Sequence, residues 1–218
     1  MQRVLEPEVM DIPDQAIAYA KADFSDSNEA YVRELIASYG DDLGNAVDLG
    51  CGPGDVAIRV VQASAAARIT AVDGSQAMLS LARQAVQKAG VARQVQLLQA
   101  LLPGLPVAAR SCTAILCKDM LHHLHDPQVL WREMQRIGRP GAAVYVMDLI
   151  RPDSTEQAAA IVERVAGREA AILKTDFFNS LCAAFTLSEI HEQLRCADLA
   201  LDVEQVSDRH MRISGRLP

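Results

Sequence analysis

The residues with the clearest chemical potential are a cluster of glycines and one distant acid. An apolar run at 47–49 ends in the sequence G-C-G-P-G at 50–54, and a second apolar run at 69–72 ends in Asp73. Glycines at such a turn let a ligand approach the backbone, and a following helix directs free N–H groups toward it. A carboxylate about twenty residues further on can accept both hydroxyls of a ribose. The pair predicts a nucleoside-binding βαβ unit; a plain strand-to-helix turn with an exposed acid is the alternative.

Three histidines form a second group of reactive side chains. His122, His123 and His125 follow the fourth predicted strand. An imidazole titrates near neutral pH, so His122 and His123 are candidates for a general base, with packing beside the site as the alternative role. Neutral imidazoles also bind zinc or iron. We expect no metal here, because adjacent and alternating histidines seldom point at one ion without a fourth partner in view.

Four further side chains near these motifs could contact a ligand. Asp148 ends the fifth predicted strand at the same edge of the sheet, which makes it a second candidate base; its alternative role is to pair with Arg151. Asp48 precedes the glycine turn and is expected to orient it or to receive an ammonium group through water. Tyr19 and Phe24 precede the first strand and are expected to close over a bound cofactor.

Alternating helices and strands must position these residues. After helices at 14–22 and 27–39, the hydrophobic pattern alternates strictly between strand and helix, which predicts a parallel sheet with helices on both faces. Predicted strands lie at 46–49, 68–72, 95–99, 114–117 and 142–149, and predicted helices at 56–64, 76–88 and 128–137, with a turn at 140–141.

The last third of the chain departs from this alternation. A long helical stretch is predicted at 153–175, with Asp153 and Glu156 as a capping box, and a second helix at 187–196 with Thr186 and Glu189 in the same arrangement. Strands at 200–207 and 209–216 follow. We expect a single domain over 1–218, with an N-terminal helical cap at 1–42 and a helical lid at 151–185. For the three phenylalanines of that lid we expect one of two roles, lining an apolar pocket or packing in the core. They are Phe177, Phe178 and Phe185.

Composition narrows the function further. The chain has 218 residues, a net charge of −7 and a pI near 5.2, which argues against a general nucleic-acid surface. The cationic group near the C-terminus includes Asp208 and is predicted to be a solvated strand edge. Five cysteines without a C-x-x-C motif favour free thiols in a reducing compartment. Without a signal peptide or an apolar run of membrane length, we expect a cytoplasmic protein without a membrane partner.

Four successive motifs resemble those of class I S-adenosylmethionine-dependent methyltransferases, most closely the small-molecule group called methyltransferase type 11. The motifs are V-D-L-G-C-G-P-G-D at 47–55, A-V-D-G-S-Q-A-M-L at 71–79, I-L-C-K-D-M-L-H-H-L-H-D-P at 115–127 and R-P-G-A-A-V-Y-V-M-D-L at 139–149. The resemblance covers roughly 45–150. It implies a Rossmann-like, seven-stranded, mostly parallel sheet with helices on both faces and an antiparallel last strand.

The resemblance also implies how S-adenosylmethionine is bound and which product, S-adenosylhomocysteine, is formed. Asp73 would hold the ribose, the main chain at Cys117 would accept from the ammonium, and 121–123 would line the mouth of the active site. The glycine turn would surround the methionine part, and Gly74 and Met78 would lie beside the adenine. Together with Tyr19 and Asp48, the expected cofactor residues are Gly50, Cys51, Gly52, Gly54, Asp73, Gly74, Met78, Ala100, Leu101 and Cys117.

Two positions depart from the family pattern. Leu101 stands where family members carry an Asp that accepts from the adenine amino group, so backbone atoms, Gln99 or water must make that contact here. Asp119 stands where small or amide residues are typical, which makes it a candidate substrate-facing group beside His122, His123 and Asp148.

The leading hypothesis is therefore direct methyl transfer from S-adenosylmethionine to a small-molecule acceptor or a small exposed group. The acceptor atom, the acceptor molecule and the oligomeric state stay open at this point. Two alternatives also remain. One is a nicotinamide-dependent oxidoreductase, which predicts a sheet without antiparallel strands. The other is a non-catalytic partner that binds the cofactor, for which the altered adenine position gives some ground.

Overall fold

Seven strands form one sheet in the computed structural model, which describes all residues from Met1 to Pro218. The strands are β1 (Asn45–Leu49), β2 (Arg68–Asp73), β3 (Val95–Gln99), β4 (Cys112–Lys118), β5 (Gly138–Leu149), β6 (Asp202–Gln205) and β7 (His210–Arg216). Their order across the sheet is β3-β2-β1-β4-β5-β7-β6. The first five strands pair in parallel, whereas β7 is antiparallel to both β5 and β6. The predicted sheet, including its antiparallel last strand, is confirmed.

Helices cover both faces of this sheet. They are α1 (Pro13–Lys21), α2 (Ser25–Tyr39), α3 (Asp55–Ala63), α4 (Gln76–Lys88), α5 (Gln128–Ile137), α6 (Thr155–Ala166), α7 (Ala171–Ala183) and α8 (Leu187–Cys196), with a 3₁₀ turn at Leu121–His123. One core of 24 buried residues includes side chains of α5 and α8. A second core, of 23 buried residues, includes side chains of α2, α3 and α4. The sheet is therefore buried on both sides, which explains the uninterrupted apolar run in β5.

Two helix starts follow directly from their capping residues. The hydroxyl of Ser75 accepts from the Met78 N–H at the start of α4. At α8, Thr186 and Glu189 form a reciprocal capping box, in which each side chain accepts from the other residue's backbone N–H. Both helices begin and end at the predicted residues because these local hydrogen bonds need no tertiary context.

The long helix predicted at 153–175 is wrong. The structure has two helices there, α6 and α7, which are separated at 167–170. The N-cap of α6 is Ser154, whose hydroxyl accepts from the Gln157 N–H at 3.2 Å, in place of the predicted Asp153 and Glu156 box. Gly167, a poor helix former, follows the last residue of α6.

The turn predicted at 140–141 is also wrong, because these residues lie inside β5. Cys112 of β4 pairs with Gly138, but Ala114 pairs with Ala143, so β5 contains extra residues relative to its neighbour. Such a bulge accommodates Pro140, which has no N–H for the ladder.

The first twelve residues, here called the N-terminal strap, are non-helical and hydrogen-bonded to the rest of the chain. The Val4 N–H donates to the Cys182 carbonyl at 3.0 Å. The Arg3 guanidinium lies 3.8 Å from the centroid of the Phe185 ring. The same guanidinium donates to the carbonyls of Ala183, His122 and Leu124.

The cationic residues near the C-terminus are paired with acids. Arg209 contacts Asp208, and Arg212 contacts Glu204, while Arg216 lies over an aromatic ring of α2. These pairs agree with the predicted solvated surface. All five cysteines are free, and no helix combines the length and apolarity that crossing a membrane requires.

Candidate functional site

A cavity of about 540 Å³ opens at the carboxyl ends of β1, β2 and β4. The glycine turn after β1, the end of β2, and the segments 100–102 and 118–120 line it. The order of the sheet reverses between β1 and β4, and open α/β sheets bind ligands at such switch points. The volume falls within the usual range for small-molecule sites.

Asp73 holds the glycine turn in place. Its Oδ2 accepts from the Gly52 N–H and its Oδ1 from the Ser75 N–H, both at 2.8 Å. Gly50 and Gly52 have φ values of +74° and +51°, which favour glycine. Burial raises the pKa of Asp73 even though these hydrogen bonds oppose the shift. Each carboxylate oxygen keeps a further lone pair, so Asp73 can still accept the hydroxyls of a ribose.

Asp48 is a buried acid in the wall of this cavity. Its side chain is 1% exposed, and its Oδ2 has no hydrogen-bond partner in the protein. Burial and the nearby charge of Asp73 raise its pKa to about 7, and the cation of Lys118 opposes this shift. An unpartnered buried carboxylate destabilises the empty site, and a cationic ligand group would satisfy it.

Lys118 and Asp119 form a buried ion pair in the same cavity. Burial raises the pKa of Asp119, but the charge and hydrogen bond of Lys118 and the nearby His210 and His122 together outweigh burial, so the net shift is downward. The backbone of Asp119 has a φ of +53°, and its Oδ1 lacks a partner. Asp119 thus lies in the cavity wall with an inaccessible, unpartnered Oδ1, and its contact with a substrate stays a prediction.

Residues from the N-terminal part of the chain complete the cavity wall. Tyr19 and Phe24, whose ring centroids are 4.7 Å apart, line it as predicted. The strap contributes Glu8, Val9 and Met10, which sequence reasoning missed. No motif in the strap could have revealed this role, because only the folded chain brings it to the cavity.

The position that departs from the family pattern also lies in the wall. Leu101 is 61% exposed and lines the cavity beside Ala100. A Cβ added to Gly74 would lie 2.4 Å from the Leu101 side chain, so glycine permits the close contact. The Gln99 amide donates to the Gly74 carbonyl at 3.3 Å. Leu101 and Ala100 therefore give this part of the wall an apolar surface.

His122 and Asp148 lie behind the cavity wall. His122 Nδ1 is 2.6 Å from Asp148 Oδ1, and Asp148 Oδ2 accepts from the Leu121 N–H at 2.7 Å. Neither residue lines the cavity. Burial lowers the pKa of His122, but Asp148 and Glu6 outweigh it and the net shift is upward. Asp148 therefore orients His122 and is not exposed as a base, contrary to the prediction.

His123 is the histidine of this group that faces the cavity. Its Nδ1 lies 3.2 Å from the Pro7 carbonyl oxygen and 3.3 Å from Glu6 Oε1. Burial and the neighbouring His122 lower its pKa to about 3. The ring is therefore neutral at physiological pH and only weakly basic, which disfavours the predicted role as a general base.

The alternative role of Asp148, as a partner of Arg151, is wrong. Arg151 pairs with Glu189 at 2.6 Å and donates to the Ala184 carbonyl at 2.8 Å. It thus links β5 to the start of α8 and takes no part in the cavity.

Most of the predicted cofactor residues line the cavity, but two do not. Cys117 is fully buried in β4, and Gly54 packs against α4, where an added Cβ would lie 3.2 Å from Ala82 Cβ. The predicted residues that do line it are Tyr19, Asp48, Gly50, Cys51, Gly52, Asp73, Gly74, Met78, Ala100 and Leu101.

The segment 151–185, predicted as a lid, contributes no residue to the cavity wall. Phe177 and Phe178 pack on a small separate cluster formed by α6, α7 and Leu149, and Phe185 belongs to the core on the α5 side of the sheet. The strap and α1 occupy the place expected for the lid.

Known proteins resemble this chain in sequence and in fold. Residues 47–146 match the family described as "Methyltransferase domain". The ubiquinone/menaquinone biosynthesis C-methyltransferase UbiE of Syntrophotalea carbinolica is 34% identical over 124 residues, which are 56% of this chain and 50% of that protein. The chain thus spans about half of the length of this curated relative.

Solved structures share the whole arrangement at low identity. A SAM-dependent methyltransferase from Aquifex aeolicus aligns with a TM-score of 0.73 at 15% identity, covering 95% of this chain and 99% of that one. The plantazolicin methyltransferase BpumL, solved with a desmethyl plantazolicin analogue and SAH, aligns with a TM-score of 0.66 at 15% identity, covering 94% and 86%. The antiparallel β7 disagrees with the all-parallel sheet expected of the oxidoreductase alternative. The chain therefore shares its fold with these SAM-dependent methyltransferases, and residues 47–146 match the methyltransferase domain family.

Proposed function

We propose that this protein binds S-adenosylmethionine in the cavity and transfers its methyl group to a small-molecule acceptor. The observation that carries the proposal is that two acids line one cavity. They are Asp48, whose Oδ2 is buried without a partner, and Asp73 at the end of β2. The cofactor offers an ammonium group on its amino-acid end and a ribose diol, which are the groups that two such carboxylates would hold.

The remaining wall fits the other parts of the same molecule. Gly52 leaves open space beside the backbone for the methionine part, and Met78 and Leu101 supply apolar surface for the adenine. The low polarity at Leu101 means that adenine binding would depend on packing more than on a charged acceptor.

When bound, the cofactor supplies an electrophilic methyl group on a positively charged sulfur. The protein's contribution is then to orient the acceptor and to exclude water. Tyr19 and Phe24 cover the cavity, and Asp119, kept ionised by Lys118, can accept a hydrogen bond from the acceptor and fix its orientation. Because His123 is weakly basic, we propose an acceptor that is already nucleophilic or is activated without this imidazole.

A small-molecule acceptor is supported by the relatives. UbiE is named a C-methyltransferase of quinone biosynthesis, and BpumL was solved with a desmethyl plantazolicin analogue. The net charge of −7 disfavours a nucleic-acid acceptor. A first panel of acceptors therefore starts from quinones and quinols, the class that the name of UbiE gives.

Calorimetric titration of Asp73→Ala tests the cofactor assignment. We expect the wild type to bind S-adenosylmethionine at one site, and Asp73→Ala to bind at least about tenfold more weakly, or by about 1.4 kcal/mol, because charge-assisted hydrogen bonds are lost. Asp73→Asn separates this loss from disorder of the turn, since its amide oxygen can still accept from Gly52. The matched control is Asp126→Ala, an exposed acid outside the cavity. Unchanged affinity in Asp73→Ala would contradict the assignment.

A second candidate function, cofactor binding without catalysis, is favoured by Leu101 in place of the acidic adenine partner. The two functions differ in one measurement, transfer of a labelled methyl group from the cofactor to the acceptor panel. Labelled product would support catalysis, whereas tight cofactor binding with no product across the panel would support the binding partner.

A further inference from the structure

A carboxylate and two imidazoles meet beside the cavity, in a cluster made of Glu6, His122 and His123. One ligand atom from each of the three residues lies within 4.8 Å of the others. Glu6 belongs to the N-terminal strap, and the histidines belong to the 3₁₀ turn after β4. The cluster therefore joins two parts of the chain that are far apart in sequence.

The spacing within the cluster is too long for direct hydrogen bonds. Glu6 Oε1 lies 3.5 Å from His122 Nε2 and 3.3 Å from His123 Nδ1, and this buried oxygen has no hydrogen-bond partner. Hydrogen bonds between such atoms are usually about 2.7–3.2 Å long. Ligands of a tetrahedral ion at about 2.0–2.1 Å from the metal lie about 3.3–3.4 Å apart. The observed separations match the second geometry better.

Neighbouring groups hold the donor atoms in the orientation that an ion requires. Asp148 Oδ1 accepts a hydrogen bond from His122 Nδ1 at 2.6 Å. The other ring nitrogen, Nε2, then directs its lone pair toward Glu6. Carboxylates commonly orient metal-bound histidines in this way. The hydroxyl of Ser180 donates to Glu6 Oε2 at 3.4 Å and leaves Oε1 facing the two imidazoles.

We propose that Glu6, His122 and His123 bind a divalent transition metal ion, with zinc as the best match to two nitrogens and one carboxylate oxygen. His123 Nδ1 lies within hydrogen-bond distance of the Pro7 carbonyl oxygen, at 3.2 Å, so an ion at Nδ1 would replace this hydrogen bond. The sequence could not reveal this site, because its carboxylate lies more than a hundred residues before the histidines.

An ion at this cluster would fasten the strap to the body of the protein. One of the three ligands, Glu6, comes from the strap, and the nearby strap residues Glu8, Val9 and Met10 line the cavity. Metal binding would therefore order one wall of the cavity. The link to methyl-donor binding rests on the proposed function, whereas the metal site itself does not.

Titration of the metal-stripped full-length protein with Co²⁺ and Zn²⁺ tests the proposal directly. We expect one equivalent of Co²⁺ to bind with the visible absorption of a four-coordinate ion, and Zn²⁺ to displace it. Glu6→Gln and His123→Asn should each weaken binding by about a hundredfold or more, because losing a direct ligand costs at least as much as losing a supporting group. His191→Asn, which removes an exposed imidazole of α8, is the matched control and should bind like the wild type.

Two results would overturn the metal site. One is the lack of saturable binding of one equivalent by the wild type at micromolar metal, and the other is equal affinity in wild type and Glu6→Gln. Circular dichroism of each variant shows whether it is folded, and Glu6→Gln, a substitution in the non-helical strap, tests the site without altering the buried His122. S-adenosylhomocysteine binding, measured separately by calorimetry, distinguishes failure of the metal site from failure of the proposed function.

Discussion

Asp48 is a residue whose ionised form favours ligand binding but lowers the free energy of unfolding. Its pKa of about 7 in the structure lies above the ordinary value of 3.8, because burial and Asp73 disfavour its charged form. The folded chain therefore holds the proton more tightly than the unfolded chain does. This contribution to stability is complete below about pH 4 and is lost as the pH rises to about 7.

The first prediction concerns the pH dependence of cofactor binding at Asp48. The affinity for S-adenosylmethionine should rise about tenfold between pH 6 and pH 8, because the ionised fraction of a carboxyl with a pKa near 7 rises by that factor. Calorimetric titration at several pH values measures it. In Asp48→Asn the affinity should be low and independent of pH over this range, and a wild-type profile that is flat would contradict the prediction.

The same variant has an opposite effect on the ligand-free protein. Above pH 7, Asp48→Asn should be more stable than the wild type, since it removes a buried charge that lacks a partner. Below pH 4 the two proteins should differ little. Urea unfolding at pH 4 and pH 8 separates this electrostatic effect from a change in packing, which would be the same at both pH values.

At the scale of elements, the N-terminal strap is the part of the cavity wall that was least visible in the sequence. Its attachment depends on Arg3, which donates to three carbonyls and stacks on Phe185. Arg3→Ala should weaken S-adenosylmethionine binding several-fold and reduce the free energy of unfolding by roughly 1–3 kcal/mol, because charged hydrogen bonds are lost. Hydrogen exchange should show faster exchange at Val4, whose N–H bonds to Cys182.

A matched control for the strap is Arg132→Ala. Arg132 forms an exposed pair with Asp126 at 3.1 Å, and such surface pairs contribute little to stability. It should therefore leave both binding and exchange at Val4 unchanged. If Arg3→Ala behaved like this control, the strap would not depend on the arginine.

Helix capping at α6 gives a test in which the sequence and the structure disagree. The sequence pattern favoured Asp153 as the N-cap, whereas the structure has the Ser154 hydroxyl accepting from the Gln157 N–H. Ser154→Ala should lower the free energy of unfolding by about 1 kcal/mol, and Asp153→Ala should change it much less. Equilibrium unfolding in urea measures both. If Asp153→Ala lowered the free energy of unfolding more than Ser154→Ala, Asp153 would be the N-cap.

The elements that were predicted correctly are those whose formation depends on residues close together in the sequence. α4 and α8 begin at Ser75 and Thr186, whose caps are local, and β5 is recognisable from its continuous apolar run. The errors occurred where the outcome depends on distant partners. The bulge at Pro140 depends on pairing with β4, and the break before α7 has only Gly167 as a local signal.

At the scale of the whole molecule, the sheet order brings together groups that the sequence shows only separately. The glycine turn, Asp73 and Asp119 were predictable because parallel strands end at one edge, and their neighbours in the chain identify them. Glu6 and the strap were not, because nothing local specifies which surface a non-helical terminus will contact. The basic strength of His123 was also unpredictable, since it depends on burial beside His122.

Coupling between ligand binding and global stability gives the last prediction. A ligand that binds only the folded chain at a hundred times its Kd should add about 2.7 kcal/mol to the free energy of unfolding. For a chain of this size, S-adenosylhomocysteine should therefore raise Tm by about 5–10 °C. A nicotinamide dinucleotide at the same concentration should give no shift, and Asp73→Asn should reduce the shift obtained with S-adenosylhomocysteine. Thermal unfolding by calorimetry measures all three, and an equal shift with both ligands would indicate nonspecific binding of nucleosides to the cavity.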